Sequence, residues 1–412
     1  MDGHIDQIVC PLQETGPGNL RNSEADLAEL PDGRILLAYS HYCADADDFG
    51  AGDIRGKFSE DGGRTWSSPF MIQPNTARYN SGRLALFRLP AGSDGYTDRP
   101  DLLSLMYVDA NDFYHHRILL RTSIDNATTW SAPQQVNATG TLGHICQRGN
   151  TVLVLRSGRI LVPVYAMFGG LCASFMYYSD DRGHTWQRSL GEISLELTDG
   201  GERIGNADFE EPVVAELRDG RLLCLGRTRM GQLHKSLSDD GGRTWSAPSP
   251  SGLASSYSPA ALKTVPTTGD LLCVWNQVSG KEIADGLGRM RMSCAVSRDD
   301  GASWTCFHNL ESLDDTTRIE PEIDTKDAVS ELNALRERQC LKHASTRTAY
   351  PQSVVDRYPR WPGMIHNDYP SICFTRTGNV MIVYGASDYE TAGLTIGLKL
   401  VVRPIEWLYE AV

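Results

Sequence analysis

The chain has 412 residues and a globular composition: 41% hydrophobic, 22% charged, 39 Gly and 20 Pro. A formal net charge of -13 gives a nucleic-acid role little electrostatic support. No apolar run approaches the ~20 residues of a membrane span. The ten Cys show no C-x-x-C spacing, and Cys224, Cys273 and Cys294 sit in apolar runs, as reduced core thiols do. The opening "MDGHIDQIVCPLQETGPG" lacks a leader pattern, so the expected location is cytoplasmic. With no H-E-x-x-H, no His/Cys cluster and no acidic calcium loop in the sequence, neither a metal nor another cofactor is expected.

In chain order, the first hairpin is "LAELPDGRILLAY", two apolar runs around an Asp-Gly turn. A third strand, "IRGKF", runs into the octet Ser59–Trp66, of pattern S-x-D-x-G-x-T-W. The octet returns at Ser123–Trp130 (Ala127 for Gly), Ser179–Trp186, Ser238–Trp245 and Ser297–Trp304 (Ser303 for Thr). Successive Trp residues are 64, 56, 59 and 59 residues apart. A regular long step means one repeated supersecondary unit.

The second unit carries a polar insertion, "PAGSDGYTDRPD", before "LLSLMYV". Later hairpins are "VLVLRSGRILVPVY", "VVAELRDGRLLCLG", "LKTVPTTGDLLCVW" and "ICFTRTGNVMIVYG", the last followed by "LTIGLKLVV". Four antiparallel strands per unit make a propeller blade. The missing strand of the last unit can come from "HIDQIVCPL", closing the ring. The reading is an all-β, six-bladed β-propeller forming one domain over 1–412, with an insertion at 311–366. Within that insertion "DAVSELNALRERQCLKHA" has helical spacing. In each octet the Asp can accept turn amides, the Gly permits positive φ and the Trp packs between sheets. The octet is therefore scaffold.

Meander topology brings the start of strand one, the end of strand two, the start of strand three and the end of strand four to one face. Arg21, Asp48, Arg227, Arg289 and Tyr369 all fall there, and Glu216 lies in an inner strand below it. Each has a bland reading. Asp48 could be a turn residue, Tyr369 rim packing, and Arg21 and Arg289 surface ion pairs. His144 and His366 could serve as a base in a lyase or lie solvated.

The octets, with "RNSEADLAELPDGR", "EPVVAELRDGRLL" and "SPAALKTVPTTGDLLCVWN", resemble the sialidase (neuraminidase) superfamily, and in particular bacterial sialidase-like glycosyl hydrolases. The resemblance covers about Arg21 to Leu408. It implies an exo-glycoside hydrolase acting on a terminal acidic sugar with retention. By residue, it implies Asp48 as acid/base, Tyr369 as nucleophile and Glu216 as the base that activates it. Arg21 and Arg289 become carboxylate ligands. Where a further Arg is expected the chain has Gln232, with Arg227 and Arg229 near enough to substitute; Gln232 and Arg227 are kept as substrate-binding candidates. The partner implied is a glycan, with no nucleic acid and no membrane span. A propeller lyase acting on uronate glycans and a non-catalytic glycan-binding propeller remain as alternatives.

Overall fold

A computed structural model describes residues 8–43, 48–91, 101–111, 115–138, 144–146, 151–168, 171–199, 201–285, 287–312, 314–322, 365–388 and 396–410. It is almost wholly β, arranged as a propeller. Helix among the described residues is limited to Gly280–Ala284 and a 3-10 turn at Ile405–Tyr409. None of the described helices is long and apolar enough to cross a membrane.

Three sheets are four-stranded meanders. One holds Glu210–Glu216, Leu222–Arg227, Gln232–Ser238 and Ser249–Ala254, and the next Ala260–Thr264, Leu271–Trp275, Met292–Ser297 and Thr305–Glu311. The third joins the chain ends: Ile8–Gln13 pairs with Gly397–Pro404 beside Asn379–Asp388 and Ile365–Phe374. A five-stranded sheet is built on Ile160–Phe168 and Leu171–Ser179, and a separate hairpin pairs Leu195–Asp199 with Glu202–Ala207.

The strand order departs from the expected six four-stranded blades: one sheet has five strands, the Leu195–Asp199 and Glu202–Ala207 hairpin stands apart, and two units share a sheet. Two of the units read as separate blades form a single eight-stranded sheet, linked by one parallel bridge between Gly52 and Asn80. Inner strands neighbour each other in turn, and Ile365–Phe374 lies beside Arg21–Glu29. The core is layered between adjacent sheets. For example, Leu161 and Met176 of one sheet pack with Val214, Leu222 and Cys224 of the next. The helix expected at 327–344 lies outside the described residues.

Each octet is a closed hydrogen-bonded turn. In the first, Thr65 donates its amide (2.9 Å) and hydroxyl (2.6 Å) to Asp61, the Gly63 amide reaches Ser59 Oγ at 2.8 Å, and Trp66 Nε1 donates to the Gly63 carbonyl at 3.1 Å. The substituted copies keep the pattern: the Ser303 hydroxyl replaces Thr on Asp299 at 2.6 Å, and Ala127 takes the positive φ itself, at 67°. The octet's Ser, Asp and Thr groups are consumed by its own turn, while the indole N–H of Trp186 and of Trp304 makes no hydrogen bond among the described residues.

Candidate active site

Four inner strands share a local irregularity. Pairing skips two residues between Ser23 and Asp26, Gly82 and Ala85, Glu210 and Val213, and Asp368 and Ser371. The first skipped residue is Glu24, Arg83, Glu211 or Tyr369, with φ of 51°, 53°, 48° and 45°. A non-Gly residue in this left-handed region costs roughly 1–3 kcal/mol and is retained where surroundings over-determine it. Four equivalent bulges thus present four polar side chains to the centre of the propeller.

The hydroxyl of Tyr369 lies 3.3 Å from Glu211 Oε1. Arg227 holds the same carboxylate from the other side, Nη1 to Oε2 at 2.9 Å, and donates through Nη2 to Glu210 at 2.8 Å. Burial, then the charge of Glu211, pushes the Tyr369 phenol well above the usual tyrosine range. Tyr369 is therefore neutral and touches the group able to take its proton. Burial works against the Arg227 charge, but Glu210 and Glu211 more than offset it.

Arg21 Nη1 meets Asp48 Oδ1 at 2.6 Å, and its guanidinium lies 4.7 Å from the Tyr42 ring centre. The Arg21 side chain is 6% exposed and that of Asp48 58%, so the carboxylate is the partner open to solvent. Glu24 is buried and accepts from the Ser40 hydroxyl at 3.2 Å and the Tyr42 hydroxyl at 3.4 Å. Burial raises its pKa against the pull of Arg83 and Arg21. Arg83 donates to the Asp48 carbonyl at 3.0 Å. Arg289 Nη1 lies 3.4 Å from Asp368, which also meets His366 Nε2 at 3.3 Å. Asp368 packs so closely on Gly385 that a Cβ there would collide with its carboxylate.

The fold thus brings together Arg21 with Asp48, Arg227 with Tyr369, and Arg289 beside them. Two expected residues lie elsewhere. Glu216 ends its strand against Arg156, whose amide and Nε reach the carboxylate at 2.8 and 3.1 Å. It is five residues past Glu211, roughly 17 Å along a strand of ~3.3 Å per residue. Gln232 is buried and turned into its own sheet, accepting the Gly252 amide on Oε1 at 3.4 Å. Arg229 stacks 3.7 Å from the Tyr257 ring centre, and Tyr257 donates to Asp208 at 3.1 Å. The His144 side chain lies outside the described residues.

Sequence reasoning missed Glu211, Glu24 and Asp368. Their signal was the alignment of the inner strands on one another. Set on their apolar runs, "SEADLAEL", "EEPVVAEL" and "DYPSICFT" place Glu24, Glu211 and Tyr369 at one position. The same alignment puts Glu216 beside Glu29 and Phe374. Glu29 is itself bound to an Arg of the neighbouring sheet, Arg376, at 3.3 Å.

A family model described as "BNR repeat-like domain" matches residues 44–382. A sialidase of Micromonospora viridifaciens is 25% identical over 315 residues, covering 68% of this chain and 44% of that protein. This chain therefore spans under half the length of that relative. Among solved structures, a Dyadobacter fermentans protein of unknown function aligns with TM-score 0.62 at 16% identity, over 96% of this chain and 99% of that one. Trypanosoma rangeli sialidase in complex with the inhibitor DANA aligns with TM-score 0.62 at 12% identity, over 96% and 59%. The intramolecular trans-sialidase of Ruminococcus gnavus aligns with TM-score 0.61 at 14% identity, over 96% and 97%. At these identities the structural likeness speaks for the fold alone.

Proposed function

We propose that this chain, which belongs to the BNR repeat-like domain family, is a sialidase-like exo-glycoside hydrolase that removes a terminal acidic sugar, sialic acid or a relative of it, with retention. The observation that carries this reading is the contact of Tyr369 with Glu211 at 3.3 Å, on the face that also holds Asp48. The eight-stranded sheet divides at its single Gly52–Asn80 bridge into two four-strand units. With the three four-stranded sheets and the five-stranded sheet, this division supports reading the ring as six-bladed.

Sialidases are among the retaining enzymes that use a Tyr nucleophile instead of a carboxylate. A neutral phenol avoids the repulsion a carboxylate nucleophile meets at an anomeric carbon bearing its own carboxylate. As the Tyr369 oxygen attacks, Glu211 takes the phenolic proton and Asp48 gives a proton to the departing glycosidic oxygen. Asp48 then deprotonates the water that attacks the sugar, and Glu211 returns its proton to the departing Tyr369 oxygen, restoring the resting site. Arg227 fixes Glu211 and leaves it no freedom to turn away. Arg21 and Arg289 have the planar donor fork that suits a sugar carboxylate, which would displace their present partners Asp48 and Asp368.

The test uses a 2,3-difluoro analogue of the sugar and a panel of acidic glycans. A covalent adduct on Tyr369, seen by peptide mass, with release of the terminal sugar supports the reading. An unsaturated product absorbing in the ultraviolet would assign a lyase. Binding without product would assign a lectin-like propeller. An adduct on Glu211 would make Tyr369 a stabiliser only.

A further inference from the structure

Away from Tyr369, the eight-stranded sheet carries a second group of reactive side chains. His41 and Asp53 are direct partners across the strands Ile35–Tyr42 and Gly52–Ser59. Cys43 lies two residues beyond His41 and so on the same side of the chain. Its amide continues the pairing, donating to the Ala51 carbonyl at 2.8 Å. His41 Nδ1 is 3.0 Å from Asp53 Oδ1 and 3.4 Å from Cys43 Sγ. All three donor atoms lie within 4.8 Å of one another. Ligands held about 2.0–2.3 Å from a tetrahedral ion are about 3.3–3.8 Å apart, so only a small adjustment separates this group from a coordination shell.

The surroundings fit as well. Arg55 donates through Nε to Asp53 Oδ1 at 3.1 Å and through Nη2 to Oδ2 at 3.4 Å. A guanidinium there orients a ligating carboxylate, as outer partners of metal ligands do. One imidazole, one thiolate and one carboxylate suit zinc and its neighbours, not magnesium or calcium. A second cluster, Cys172, Asp208 and Glu210, also gathers three donors. There, however, Asp208 holds Tyr257 and Glu210 holds Arg227, and both belong to the site already described.

We propose that His41, Cys43 and Asp53 bind one zinc-class divalent cation. Cys43 releases its thiol proton to solvent on binding, and water completes the tetrahedron. The ligands stand at the two ends of the connection that carries Asp48, so the ion staples its base. The site is independent of the catalytic reading.

The experiment is titration of the reduced full chain with Co2+, followed by absorption. One equivalent should produce a thiolate-to-cobalt charge-transfer band and the visible bands of a tetrahedral ion, and Zn2+ should displace both. Cys43→Ser should abolish the charge-transfer band. His41→Ala should prevent stoichiometric binding, and Arg55→Gln should weaken it about 10- to 100-fold. Cys306→Ser, which removes the other half-exposed thiol among the described residues, should change nothing. Where Cys43→Ser fails to fold, Asp53→Asn serves: the band persists but affinity drops. Absence of a charge-transfer band, or a band that survives both Cys43→Ser and His41→Ala, overturns the proposal.

Discussion

Glu211 and Glu216 lie on one strand and differ in what they touch. Glu211 meets Tyr369 and Arg227, and Glu216 meets Arg156. Glu211→Gln should lower kcat about 10²- to 10⁴-fold, the span usual for loss of a positioned base, and should also lower the melting temperature, because it removes one of the two carboxylates that offset the buried Arg227 charge. Glu216→Gln should leave kcat as it is and cost at most about 1 kcal/mol, since its Arg156 partner is 60% exposed. Steady-state kinetics beside thermal melts would separate the two, and reversed results would restore Glu216 as the base. Asp48→Ala should slow substrates with poor leaving groups far more than activated aryl glycosides, because a good leaving group needs little protonation. Equal loss on both would deny Asp48 an acid role.

The octet turn is the element on which the scaffold rests. Burial tends to raise the Asp61 carboxyl, but hydrogen bonds from the Thr65 hydroxyl and amide and from Ser59 outweigh it and bring it down to about 2. In Asp125 the Thr129 hydroxyl and amide do the same, again to about 2. A depressed carboxyl contributes stability above its unfolded pKa of about 4, and that contribution is lost as pH falls through the folded value. Melting temperature should therefore drop as pH goes from about 4 to about 2, and Asp61→Asn should flatten part of that slope. An unchanged slope would mean that other carboxylates carry it. The octet Trp residues differ in burial. Trp304 is 5% exposed and packs with Leu223, Leu225 and Leu271. Trp304→Ala should cost about 3–5 kcal/mol, measured by denaturant unfolding, while the half-buried Trp245 should cost less.

At the scale of the whole molecule, closure depends on one strand. Ile8, Val9 and Cys10 pair with Val402, Val401 and Leu400, tying the start of the chain to its last sheet. Deleting residues through Gln13 strips that cover from Gly397–Pro404 and leaves an open edge, a template for pairing with other chains. The truncated protein should melt at a lower temperature and associate during size-exclusion chromatography. A monomer of native stability would show that the ring holds without the closing strand. The start of the 311–366 insertion is also tied down: Arg291 holds Ser312 and Asp314 at 2.7 and 3.0 Å, and Gln277 holds Thr317 and Ile319. Removing residues 323–364 should leave these anchors and the fold in place, with any change read in substrate affinity.

The sequence by itself determined the turns, the hairpins, the octet scaffold and the face on which Arg21, Asp48, Arg227, Arg289 and Tyr369 gather. These are local matters. Octet hydrogen bonds close within eight residues, strand polarity repeats every second residue, and meander topology then assigns each loop to one face. What only the tertiary structure decided is which groups touch. Tyr369 and Glu211 are 158 residues apart, and Glu211 rather than Glu216 meets Tyr369 because a bulge skips two residues and swings one side chain inward. Gln232 stood in the expected register yet faces its own sheet, because its partners are the Gly252 amide and the strand beside it. His41, Cys43 and Asp53 are unremarkable in sequence and became neighbours through cross-strand register alone. Pairing register depends on contacts between strands, and the residues of one strand do not encode it without their partners.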